Sequence, residues 1–95
     1  MWVFDSRNVE YKIKNPANGL TVKGEITNRS GHNFNSIVFR VVAYARNTPL
    51  GNATLTINGF PTYQTRTFEV HIKDITDTKI VNSITRCDII PEGGY

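Results

Sequence analysis

The chain has little of what builds helices, covalent crosslinks or membrane spans. Among its 95 residues there are one cysteine, one tryptophan, four alanines and three leucines, Leu20, Leu50 and Leu55. A single cysteine cannot close an internal bridge, which excludes a disulfide-stapled scaffold. The scarcity of Leu and Ala removes the strongest helix formers, and apolar residues do not recur at spacings of three and four beyond chance. No run of about 18 apolar residues is present, so no segment reads as a membrane-spanning helix. The start, Met1-Trp2-Val3-Phe4-Asp5, lacks the basic and long apolar regions of a signal peptide. No two basic residues are adjacent, and the 11 Lys and Arg are scattered against 8 Asp and Glu for a net +3. Nucleic-acid binders concentrate such charge in a patch or stripe, so scattered, solvated strand faces are the expected reading and no nucleic-acid partner is expected.

What is present is a skew toward Ile, Val, Thr and Asn, the usage of strands and turns. Six segments alternate apolar and polar residues with period two, the pattern of half-buried strands. In the first, Val9, Tyr11 and Ile13 share a face, and Asn15-Pro16-Ala17-Asn18-Gly19 then supplies a turn with Pro to preset φ. Leu20, Val22, Gly24 and Ile26 alternate next, so the first two segments predict a hairpin around that turn, and Asn28 to Asn33 follows as a loop. The third and longest segment, Ser36 to Arg46, puts Ile37, Phe39, Val41, Ala43 and Ala45 on a core face and Val38, Arg40, Val42, Tyr44 and Arg46 largely outward. After a turn at Asn47-Thr48-Pro49, the fourth sets Ala53, Leu55 and Ile57 against Asn52, Thr54 and Thr56, and is broken by Asn58-Gly59-Phe60-Pro61-Thr62. The fifth alternates Phe68, Val70 and Ile72 with Glu69, His71 and Lys73. The sixth, Lys79 to Ile90, changes phase near Asn82 and Ser83, which predicts either a bulge or two short strands. Pro91 to Tyr95 reads as a loose tail.

Short alternating strands between Gly, Pro and Asn turns predict an all-β fold, a β-sandwich or small barrel. The stretch Val22-Lys23-Gly24-Glu25-Ile26-Thr27-Asn28-Arg29-Ser30 resembles the opening V-x-G-x-V-x-N signature of FxLYD-type domains. Val41-Val42-Ala43-Tyr44-Ala45 stands where that family has its naming motif, with Tyr44 the full match and Ala45 in place of the Asp. Leu50-Gly51, and Asn58 to Thr62 leading to Phe68-Glu69-Val70, extend the resemblance over residues 9–90. It implies an immunoglobulin-like antiparallel β-sandwich of six or seven strands, a module of bacterial or archaeal envelope or secreted proteins, with no catalytic residues defined. The expectation is one such domain over residues 1–95, with its core in about 9–90, within a larger extracytoplasmic protein. Independently of any family, Gly24 on an inward face leaves room for a large neighbour or a bulge, and Asn28 at a strand exit can bond nearby backbone amides.

Chemistry-bearing residues are few. His32 in a loop, His71 on an outward face and Cys87 lack the short paired spacing of a zinc site, and no base or orienting group is expected to converge on Cys87. Cys87 shares a face with Val81 and Ile89, which predicts a buried, inert thiol. Asp74 and Asp77 bracket a turn more naturally than a calcium site, and no glycine-rich phosphate loop precedes a helix. No metal or cofactor is expected. Two sequons, Asn28-Arg29-Ser30 and Asn52-Ala53-Thr54, carry meaning only in a glycosylating secretory system.

The best surface candidate is therefore the outward row Arg40, Val42, Tyr44 and Arg46, spaced about 7 Å apart by twice the strand rise. Tyr and Arg are enriched at interfaces, although cross-strand packing accounts for the same residues. The resulting expectation is a non-catalytic structural or protein-interaction module, with no enzyme activity. A polysaccharide-binding module using exposed Trp2, Phe34, Phe60 or Tyr63 is the alternative. A nucleic-acid-binding small barrel ranks after it.

Overall fold

Strand alternation of this kind leaves every strand with one apolar face, and two sheets must meet to bury those faces. The computed structural model describes residues 2–95. It contains β1 (Phe4–Lys12), β2 (Leu20–Asn28), β3 (Phe34–Ala45), β4 (Thr48–Phe60), β5 (Thr65–Ile72), a helical turn α1 (Thr78–Val81) and β6 (Arg86–Gly94). The strands form two antiparallel three-stranded sheets, one in the order β1-β2-β5 and the other β4-β3-β6. The fold is an all-β, immunoglobulin-like sandwich of six strands, not a closed barrel.

The core lies between β2 and β3, the central strands. Leu20, Val22 and Ile26 face Ile37, Phe39, Val41 and Ala43, and Phe68, Val70 and Ile72 of β5 close one side with Leu55 and Ile57 of β4. The predicted core faces of β2 to β5 therefore hold, apart from Ala45 at the end of β3. At about 25 cal/mol per Å² of buried apolar surface, these side chains are the main source of stability. The β1–β2 hairpin forms as expected, with a 3₁₀ turn at Pro16–Asn18 capped by the Asn15 side chain.

Four expectations needed correction, each where a local irregularity interrupts alternation. First, β1 begins at Phe4, not Val9, because a bulge between Arg7 and Glu10 changes the parity of the strand. Asn8 in the bulge has φ 54°, a value Asn tolerates better than most residues. Phe4 before the bulge and Val9 and Tyr11 after it consequently all pack on the core. Gly24 stands opposite, where a Cβ would lie 3.1 Å from both the Arg7 carbonyl oxygen and the Val9 Cα, so the glycine admits the bulge. Second, β4 runs through Asn58 and Gly59 to a fully buried Phe60, which pairs with Phe34.

Third, the phase change after Lys79 is neither a bulge nor a meeting of strands. The Asp77 side chain caps α1 by accepting from the Lys79 amide, and the turn that follows buries Ile84. Fourth, the tail is strand: β6 continues through Pro91 to Gly94, and Tyr95 exchanges backbone hydrogen bonds with Asn35 and Ser36. Proline is tolerated because β6 is an edge strand and its register against β3 shifts there.

Candidate interaction surface

Because β3 is the middle strand of its sheet, its outward residues are flanked on both sides. Arg40 lies beside Thr54 and Ile90, Val42 beside Asn52 and Asp88, and Tyr44 beside Pro49 and Arg86. Arg46, the fourth residue of the expected row, falls outside the strand. It sits in the two-residue turn between the paired Ala45 and Thr48, with φ 58°. Ala45, expected in the core, is only half-buried at that strand end.

The three remaining members are engaged by neighbours. Arg40 donates from Nη1 to Asn52 Oδ1 at 2.7 Å, and its Nη2 lies 3.0 Å from Glu92 Oε1. Val42, although outward, is 8% exposed. The Arg86 guanidinium carbon lies 4.2 Å from the Tyr44 ring centroid, in cation–π geometry. The same guanidinium donates from Nε to Asp88 and from Nη1 to the Arg46 carbonyl at 2.6 Å. Half-exposed ion pairs of this kind contribute about 0–1 kcal/mol each and the cation–π contact roughly 0.5–1 kcal/mol. They hold the side chains in place more than they hold the fold together.

The same face carries apolar residues that the reading of β3 alone missed. Ile90 is 43% exposed and Tyr95 73% exposed, and Tyr95 and half-buried Val38 border a shallow hollow of about 360 Å³. Ser36, Glu92, Gly93 and Gly94 complete its lining. The missing signal was the pairing of residues 86–94, which Pro91 and the two glycines disguise as a tail. The outer face of the β1-β2-β5 sheet differs: its cross-strand neighbours are Thr27 with Thr65, Lys23 with Glu69 and Glu10, and Thr21 with His71 and Lys12. A hollow of about 280 Å³ beside the β1 bulge is bordered by Asn8, Glu10, Lys23 and Glu25.

The other chemistry-bearing residues are dispersed. His71 Nδ1 lies 3.1 Å from the Thr21 hydroxyl on the outside of β5, whereas the His32 ring packs edge-on against Phe34 in the β2–β3 loop. Among the described residues, no three His, Cys, Asp or Glu side chains come together as a metal-binding group. Cys87 is free and half-buried, and burial, aided by the adjacent Asp88 charge, pushes its thiol up from 9.0 to about 11. A thiol held in its protonated form is a poor nucleophile at neutral pH. The Asn28 sequon is closed in the folded chain, since Asn28 is fully buried with its side chain hydrogen-bonded; Asn52 is exposed.

The aromatic set named for polysaccharide binding is also divided. Phe34 and Phe60 are buried, which removes both from any contact surface; they end β3 and β4, where alternation gives no guidance. Trp2 is 40% exposed and packs edge-on against Phe34 with ring centroids 4.9 Å apart, while Tyr63 stands exposed in the β4–β5 turn. No helix among the described residues is long and apolar enough to cross a membrane. Comparison with protein-family models, with curated proteins and with solved structures finds no significant match to the chain.

Proposed function

We propose that this chain is a non-catalytic interaction module that docks a protein partner through the outer face of its β4-β3-β6 sheet. The observation that carries this reading is the contrast between the two outer faces. Both carry paired charges, but among the described residues of β1, β2 and β5 no large apolar side chain is exposed, whereas the other face leaves Ile90 exposed and Tyr95 exposed at a hollow and braces Arg40 and Tyr44 in fixed positions. Exposed apolar residues rimmed by ordered polar groups are the composition of protein contact sites. The row foreseen from the sequence contributes Arg40 and Tyr44 to this face, with Val42 as their support. An extracytoplasmic setting and kinship with FxLYD-type domains belong to the same proposal, supported by the Val22 to Ser30 segment and by Tyr44.

The test compares charge substitutions on the two faces in the source cell. A tagged chain carrying Thr67→Asp should migrate in the same native complex as the wild type, and one carrying Ile90→Asp should be released from it. If both variants are folded and both stay in the complex, the contact does not use this face.

A further inference from the structure

We infer that Asn58 is a site of spontaneous covalent modification, in which its side chain closes onto the Gly59 nitrogen as a succinimide that water then opens to aspartate or isoaspartate. In the first step a bond forms between the Gly59 nitrogen and Asn58 Cγ. The side-chain amide leaves as ammonia, carrying the proton that the attacking nitrogen gives up. In the second step solvent water adds across one of the two ring C–N bonds, which either restores the normal peptide link or routes the main chain through Cβ. The reaction consumes only water. It favours a following glycine, because a Cβ there would crowd the attacking nitrogen.

The chain offers this pair twice, at Asn18-Gly19 and Asn58-Gly59, and the fold separates them. Both asparagines are exposed. Gly19, however, is buried, its N–H donates to the Pro16 carbonyl at 3.2 Å, and a Cβ there would collide with the Ile72 carbonyl oxygen. Its nitrogen is engaged and its surroundings are closed. Gly59 is exposed, and a Cβ there would meet no heavy atom within 4 Å. In the β3–β4 register Asn58 pairs with Ser36 and Phe60 with Phe34, with Gly59 skipped between them at φ 66°. Ring closure therefore has room and an irregular backbone at position 59, and neither freedom at position 19.

The isoaspartate product adds one methylene to the main chain between residues 58 and 59. The Gly59 carbonyl accepts from Arg66 Nη2 at 2.9 Å, and the next carbonyl, that of Phe60, accepts from the buried Asn28 side chain. The added length displaces both acceptors, so modified copies lose a link between the two sheets.

Peptide mapping by mass spectrometry, with fragmentation that distinguishes isoaspartate, reads the reaction in the folded and the urea-unfolded chain held in the same mildly alkaline buffer. Unfolded, both positions should react alike. Folded, position 58 should react roughly fivefold or more faster than position 18, the factor set by the hydrogen bond that Gly19 must give up. An amide at position 58 that persists in the folded chain overturns the site, as do equal folded-state rates at the two positions. The structural consequence is read separately, on the isoaspartate form isolated by ion exchange. Its Tm should fall toward that of Asn28→Ala, whereas Asn58→Asp, which keeps a normal backbone, should melt near the wild type. An isoaspartate form as stable as Asn58→Asp overturns the loss of the inter-sheet link.

Discussion

The Asn28 side-chain amide donates to the Phe60 carbonyl at 2.9 Å, and that bond ties the end of β2 in one sheet to the end of β4 in the other. The same Nδ2 donates to the His32 carbonyl at 2.8 Å, while Oδ1 accepts from the Ser30 amide and hydroxyl. One fully buried side chain therefore satisfies the β2–β3 loop and fastens the two sheets together. Removing a partner from buried polar groups costs about 1–3 kcal/mol per group left unpaired.

Asn28→Ala should accordingly destabilise the domain by about 2–4 kcal/mol, lowering Tm by roughly 10–25 °C for a domain of this size. Thermal unfolding followed by circular dichroism measures it. A loss below about 1 kcal/mol would mean that water replaces the amide and that the sheets do not depend on this link.

The sequence made Asn28 legible as a strand-exit residue that bonds nearby amides, and its bond from Ser30 N is of that kind. Its reach to Phe60 is not legible there, because Asn58 to Thr62 reads as a turn, whereas Phe60 ends β4 fully buried. The same limit explains the other gaps. Period-two alternation identified the core faces of β2 to β5, whose strands run regularly past one another over most of their length. It failed at the Asn8 bulge, where parity changes, and at Pro91, Gly93 and Gly94, whose residue types signal a tail although an edge strand accommodates them. The exposed apolar residues missed on the proposed contact face, Ile90 and Tyr95, lie in or next to the second of these segments.

Tyr63 offers a test of backbone strain. It occupies φ 65° in the turn closed by the Gln64 amide and the Pro61 carbonyl, and its side chain is 71% exposed. A non-glycine residue in the left-handed region costs about 1–2 kcal/mol, against which glycine adds unfolded-state entropy. Tyr63→Gly should be neutral or stabilising by up to about 1 kcal/mol in urea unfolding. A clear destabilisation would show that the exposed ring makes a contact worth more than the strain.

Cys87 sets a pH dependence whose sign follows from its raised value. Between pH 9 and 11 the folded chain keeps the thiol proton that the unfolded chain releases, so folding loses stability as pH rises through that window. Cys87→Ala should lose less stability than the wild type between pH 9 and 11, with the two unfolding alike at pH 7 apart from a constant offset. Iodoacetamide should label the native thiol slowly at pH 8, with its rate rising toward pH 11. Rapid labelling at pH 8 without unfolding would contradict the half-buried, protonated thiol.

By the proposal above, the β4-β3-β6 face makes the contact and the β1-β2-β5 face does not. Site-specific photo-crosslinking in the source cell reads it directly, with the reactive side chain placed at position 90 on one face or at position 67 on the other. A discrete protein adduct is expected from position 90 and none from position 67. Adducts of equal yield from both positions, or an adduct from position 67 alone, would contradict it.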